Sequence, residues 1–199
     1  MKLPSIKHAD NEVIGSVIIV TSIVMILSAF FLPVVFLMVL QDIFFFSRSH
    51  WYFAAPPSAY FMFGAGMLWI PIILITFLSV KVWMENRDRV ISNVWVYGLL
   101  LILSFPIFAL SISNYYYFDD EGIHYSELFS FSEAEHSWDD IEKVIRVTNS
   151  EGGVSSVEEY IFILESGEEL DVPFDTTKHE VRQIISRVIR EYGYELIEQ

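Results

Sequence analysis

The side chains here whose types could do chemistry are carboxylates and histidines, and they gather in the last 86 residues of a 199-residue chain. Asp119, Asp120 and Glu121 are consecutive and could offer oxygen ligands to a hard cation. Their spacing matches no calcium loop, whose ligands alternate along about 12 residues, so the reading is an acidic solvated turn. Asp139 and Asp140 follow the same logic. Glu133, Glu135 and His136 form a mixed set without a second histidine, which argues against zinc. His124 and His179 have no partner at a ligating spacing and read as surface residues. There is no nucleophile elbow and no glycine loop that could cradle phosphate. The chain has no cysteine, which removes thiolate chemistry, disulfides, cysteine-ligated zinc and iron–sulfur clusters. The expectation is a non-enzyme with no catalytic, cofactor-binding or metal residues and no cofactor.

The elements that carry these residues are divided by a break at Asn114. Up to Ser113 the sequence holds 6 bases and 5 acids; from Asn114 onward it holds 6 bases and 21 acids, a net charge of −15. An acidic domain with few clustered bases is repelled by nucleic acid and by anionic headgroups. The sequence thus reads as residues 1–113, a transmembrane domain, and residues 114–199, an acidic soluble domain.

Residues 13–40, 59–80 and 90–112 carry no charge. A bilayer core needs roughly 20 apolar helical residues, so the expectation is a multi-pass anchor of three transmembrane helices. A cleavable signal peptide is the rival for the first stretch, but its apolar run exceeds the usual 7–15 residues or so. A buried soluble core is the rival for all three, and uninterrupted apolar length argues against it. Trp51, Tyr52, Trp83, Trp95 and Tyr115–Tyr117 mark the ends, where amphipathic rings sit at headgroup depth. Trp69 falls inside the second stretch and should pack on a neighbouring helix. Pro33, Pro71 and Pro106 each predict a bend, with a re-entrant turn at Pro33 as one form of it. Gly64, Gly66 and Gly98 predict close helix approach within or between chains. No ionisable residue lies inside the stretches, which argues against an autonomous ion carrier.

Basic residues in short loops set orientation. Lys2, Lys7, Lys81, Arg87 and Arg89 fall on one side and Arg48 on the other. The tally puts the N-terminus in the cytoplasm and the acidic domain outside it, in a plasma membrane.

After Asn114 the period changes from helical to alternating. Strands are expected at Tyr115–Phe118, Ile123–Leu128, Phe129–Ser137, Lys143–Thr148, Tyr160–Leu164 and Glu169–Val172. Turns are expected at Asp119–Gly122, with glycine free for a positive φ, at Trp138–Ile141 and at Glu165–Glu168; Asn149–Ser156 reads as a flexible loop. Thr177–Glu180 forms a capping box. Val181, Ile184, Ile185, Val188, Ile189 and Tyr192 then make one apolar helix stripe, closed by Gly193. The order is a small β-rich α+β domain of five to seven strands with a C-terminal helix.

Phe118–Ile123 directly after a span, Trp138–Val144, the hairpin at Gly167 and the closing helix together resemble the bacterial pleckstrin-homology-like domains attached to membrane spans. The resemblance covers residues 115–195. It implies a binding or assembly module with no shared catalytic residues. Headgroup-binding relatives use bases in the first hairpin, where this chain has Asp119–Gly122, so no specific anionic headgroup binding is expected. The functional expectation is an integral membrane protein presenting a non-catalytic interaction or assembly domain to a protein partner or a second copy. Membrane lipid would contact the spans, and nucleic acid is not a partner. The alternative is an accessory or sensory subunit of a transporter or envelope complex.

Overall fold

A computed structural model describes residues 6–89, 93–126, 128–129, 132–151, 154–171 and 179–198. The chain divides into two compact units. One takes Met1–Gln41 and Pro57–Ser113, and the other takes Asp42–Pro56 together with Asn114–Gln199.

The first unit is helical. Helix α1 (Ile6–Ser28) and helix α2 (Leu32–Phe45) meet at a bend of 74°. The bend replaces the straight first span: the Pro33 ring would clash with the carbonyl of Ala29 four residues back, so the helix stops at Ser28 and restarts with proline in its first turn. Helix α3 (Pro57–Glu85) runs unbroken through Pro71. Helices α4 (Val94–Ile102) and α5 (Ser104–Ile112) are separated at Leu103; Pro106 lies four residues after Ile102, and its ring cannot accommodate the continuing turn there. The start expected at Val90 lies outside the described residues.

Two helices, α3 and the α4–α5 pair, are long and apolar enough to cross a membrane, or three if the bent α1–α2 pair is one span. Helix α3 is central and packs on α1, α4 and α5. A Cβ on Gly66 would come within 2.8 Å of Phe108, so glycine there permits the α3–α5 approach. Gly98 has nothing within 4 Å and serves no such approach within this chain. Trp69 reaches a neighbouring helix as expected, its indole N–H donating to the Leu100 carbonyl at 2.8 Å.

The second unit contains two four-stranded sheets around one core. Strands β1 (Tyr52–Ala54), β2 (Tyr115–Phe118), β3 (Gly122–Ser126) and β4 (Glu133–Ser137) form an antiparallel sheet in that order. Strands β5 (Ile141–Glu151), β6 (Val154–Leu164), β7 (Glu169–Asp171) and β8 (Glu195–Glu198) form the other, ordered β7-β6-β5-β8. Helix α6 (His179–Tyr192) closes the core, burying Val181, Ile184, Ile185 and Val188 against Phe118, Ile123, Val144 and Phe162. Gly193 ends it with φ 72°, and the Tyr194 N–H returns to the Ile189 carbonyl at 3.1 Å, a Schellman closure.

Several expectations change. Asn149–Ser156 is strand on both sides of residues 152–153, its register running from Asn149–Ser156 to Glu151–Val154. Strand β3 ends at Ser126, and Phe129 lies exposed in the turn that follows. Gly122 does not carry a positive φ; its need is space, since a Cβ there would sit 2.0 Å from the His136 carbonyl oxygen on β4. Phe131, Val172 and the Thr177–Lys178 half of the capping box lie outside the described residues.

Two strands had no counterpart in the sequence reading. Strand β1 comes from the segment between α2 and α3, with Tyr52 opposite Phe118 and Ala54 opposite Tyr116. Strand β8 follows α6 and pairs in parallel with β5, Lys143 opposite Glu195 and Arg146 opposite Glu198.

Candidate functional site

Alternation along β2 sends Tyr116 and Phe118 into the core and Tyr115 and Tyr117 to the opposite face. The β2–β3 register sets Tyr117 opposite His124, and the β3–β4 register sets Ser126 opposite Glu133. Tyr115, Tyr117, His124 and Glu133 therefore share one face, and hydrogen bonds join them. Tyr117 donates to Glu133 Oε1 at 2.5 Å and Tyr115 to Oε2 at 3.0 Å. His124 places Nδ1 3.4 Å from Glu133 and Nε2 3.1 Å from Asp119 Oδ1.

The histidine expected at the surface is instead buried between two carboxylates, at 4% exposure. Its ring stacks on Tyr117 at 4.5 Å, and Tyr117 also stacks on His50 at 4.0 Å. His50 stands between α2 and β1 and also stacks on Phe53 of β1. Phe45, at the end of α2, lies 4.4 Å from the Tyr115 ring.

Burial, followed by the hydrogen bond to Glu133, pushes the Tyr115 phenol up to about 12. Tyr117 is raised for the same two reasons, with Asp119 and Tyr115 adding to them. Burial lowers His50 below the ordinary imidazole value; Asp119 and Glu133 pull it back up, and His124 pushes it further down. Both phenols therefore stay protonated as donors at neutral pH, and Glu133 receives them.

The Asp119–Gly122 turn is held from within. Asp119 Oδ1 accepts the backbone N–H of Glu121 at 2.9 Å and of Gly122 at 3.2 Å. Trp138 then ties the turn to two other segments. Its indole N–H donates to the Asp119 carbonyl at 2.9 Å, its ring stacks on Trp51 ahead of β1, and its own carbonyl accepts the Tyr194 hydroxyl. Burial, helped by Tyr192 and Asp139, raises the Tyr194 phenol.

Asp119, Glu121 and His124 each bring a ligand atom within 4.8 Å of the others, the geometry in which a divalent cation could be held. Asp119 Oδ1 already serves two backbone donors and the imidazole, which favours the turn-forming role. Glu133 and Glu135 share a face with His124, whereas His136 points the other way and stacks on Tyr125, so that sequence cluster is split by the pleat. Asp139 and Asp140 sit exposed in a 3-10 turn capped by the Ser137 hydroxyl. His179 is exposed at the start of α6.

Alternation along β2 and β3 puts Tyr115, Tyr117 and His124 on one face, but does not show that the face is covered. Glu133 needed the β3–β4 register, and His50 needed β1, for which no local pattern exists in a three-residue strand. No family model matches the chain, and no curated protein and no solved structure matches it.

Proposed function

We propose that this chain is an integral membrane protein whose three spans hold a pleckstrin-homology-like, non-catalytic module at the membrane surface, where it binds a protein partner or a second copy of itself. One observation carries the reading: β1, between α2 and α3, is hydrogen-bonded to β2, which follows α5. A segment between helices able to span a bilayer is thereby an edge strand of the module, so the module is completed by the helices' own connection rather than tethered by a linker. The antiparallel strands, the Trp138 turn and the closing α6 support the pleckstrin-homology-like assignment. The pairing supports placing Asp42–Pro56 and the module on one side of the membrane, with α3 and α4–α5 as two crossings between them. With Lys81, Arg87 and Arg89 on the opposite side, the positive-inside rule favours an extracytoplasmic module.

The full chain is the right reagent, because residues 114–199 alone lack β1. Crosslinking in membranes followed by purification should recover either a stoichiometric partner or an oligomer, and a Trp138→Ala chain of equal membrane level should lose it. A wild-type chain that stays monomeric and alone overturns the reading. A reporter fused after Gln199 should be active only in an extracytoplasmic format; cytoplasmic activity overturns the orientation.

A further inference from the structure

Bases are scarce after Asn114, yet three of the six converge on one concavity. Arg182, Ser186 and Arg190 follow one another at i, i+4 and i+8 along α6, and with Arg146 and Tyr160 they line a groove of about 390 Å³ between the helix and the β5–β6 ladder. Arg187, on the same helix, is not part of its lining. Arg146 lies on the core face of β5, two residues beyond fully buried Val144 and directly opposite Tyr160. Its Nε is buried and has no hydrogen-bond partner among the described residues. One Nη is paired with Glu198 of β8.

Three guanidinium groups in one groove repel each other unless an anion joins them, and a buried N–H without an acceptor is costly. The guanidinium fork matches the oxygens of a phosphoryl group, and the volume falls within the roughly 300–1,000 Å³ typical of small-ligand sites. An extended anionic surface must approach the whole acidic module, whereas a small oxyanion entering the groove meets the arginines first.

We propose that this groove binds a small phosphoryl compound, held by Arg146, Arg182 and Arg190, with the Glu198 carboxylate as its internal competitor. The site is separate from the Asp119–Gly122 hairpin and independent of which protein partner the module takes.

The test is calorimetric titration of the full chain, in neutral-lipid nanodiscs, with pyrophosphate at constant ionic strength. Saturable binding is expected. Arg182→Gln and Arg190→Gln should each weaken it about tenfold or more, the loss of one charged hydrogen bond. Arg187→Gln, which removes the same charge off the groove, should leave it unchanged. Glu198→Gln should tighten it several-fold by freeing Arg146. Both α6 arginines are exposed, so circular dichroism should show the variants folded. Nanodiscs doped with a phosphorylated lipid distinguish the sources: binding confined to that arm and lost in Arg182→Gln assigns the groove to a lipid phosphate. No saturation in either arm, or equal weakening by Arg187→Gln, overturns the proposal.

Discussion

Both units bury large apolar side chains, Leu37 and Phe63 in one and Phe118 and Phe162 in the other, but they differ in what else lies inside and in what faces outward. In the helical unit the interior positions include Ser22, Gln41, Ser104, Ser111, Ala59 and Gly66, while Val17, Phe30, Val35, Phe61 and Phe105 face outward. In the sheet unit Phe118, Trp138 and Phe162 are inside and the acids outside. Each arrangement suits a different solvent. Between helices in hydrocarbon no hydrophobic force drives association, so small residues and hydrogen bonds do the joining. Ser111 donating to the Ala59 carbonyl at 2.7 Å and Gln41 to the Ile112 carbonyl at 3.1 Å are such bonds. In water the burial of large apolar groups drives the fold.

The contrast is broken most directly at the two tryptophans. Trp138→Ala should cost about 3–5 kcal/mol of stability in the sheet unit, as removal of a buried aromatic does, read as a lowered denaturant midpoint by near-ultraviolet circular dichroism. Trp69→Phe removes the bond to Leu100 together with part of the ring volume and should cost about 1–2 kcal/mol in the helical unit, seen by thermal unfolding in detergent.

The glycines sharpen the same comparison. Gly122→Ala should cost about 3 kcal/mol, because the partner of its Cβ is β4 backbone that cannot step aside. Gly98→Ala should shift stability by no more than about 1 kcal/mol, in the stabilising direction, since nothing stands near it and alanine favours helix. A thermal-shift series on the two variants checks both.

Smaller effects should follow pH in the sheet unit. His50 titrates below its ordinary value when folded, so the stability it supports is present above pH 6.5 and lost as pH falls through the folded value. A urea midpoint followed downward from neutral pH should fall more in the wild type than in His50→Gln. Tyr115 is raised when folded, so its contribution holds below the ordinary value of 10.0 and is lost as pH rises toward about 12. Tyrosinate absorbance should show a late-titrating phenol that Glu133→Gln brings earlier.

Legibility differed between the units for physical reasons. The helices announced themselves by apolar length, and their bends by Pro33 and Pro106, because helical hydrogen bonds are local. Strands β2, β5 and β6 and helix α6 were readable from period and composition. Strand β1 was not, since Trp51–Ala54 looks like interfacial aromatic sequence and becomes a strand only through a partner on the far side of α3 to α5. Strand β8, the short acidic run Glu195–Glu198, is likewise made by β5. His124 was misread as a surface residue because its two carboxylate neighbours come from a turn and another strand. The groove was invisible in sequence, because Arg182 and Arg190 on α6 meet Arg146 only once the helix lies on β5 and β6.

The pairing of β1 with β2 has a consequence for the order in which the protein is made. Tyr52 leaves the ribosome before α3, and its partner Phe118 only after α5, so β1 waits with an unpaired edge while the intervening helices are synthesised. Closing that long loop is what seals the sheet. Until that loop closes, β2 lacks its edge partner and Trp138 lacks the ring of Trp51, so the sheet is finished by the part of the chain made long before the rest of it.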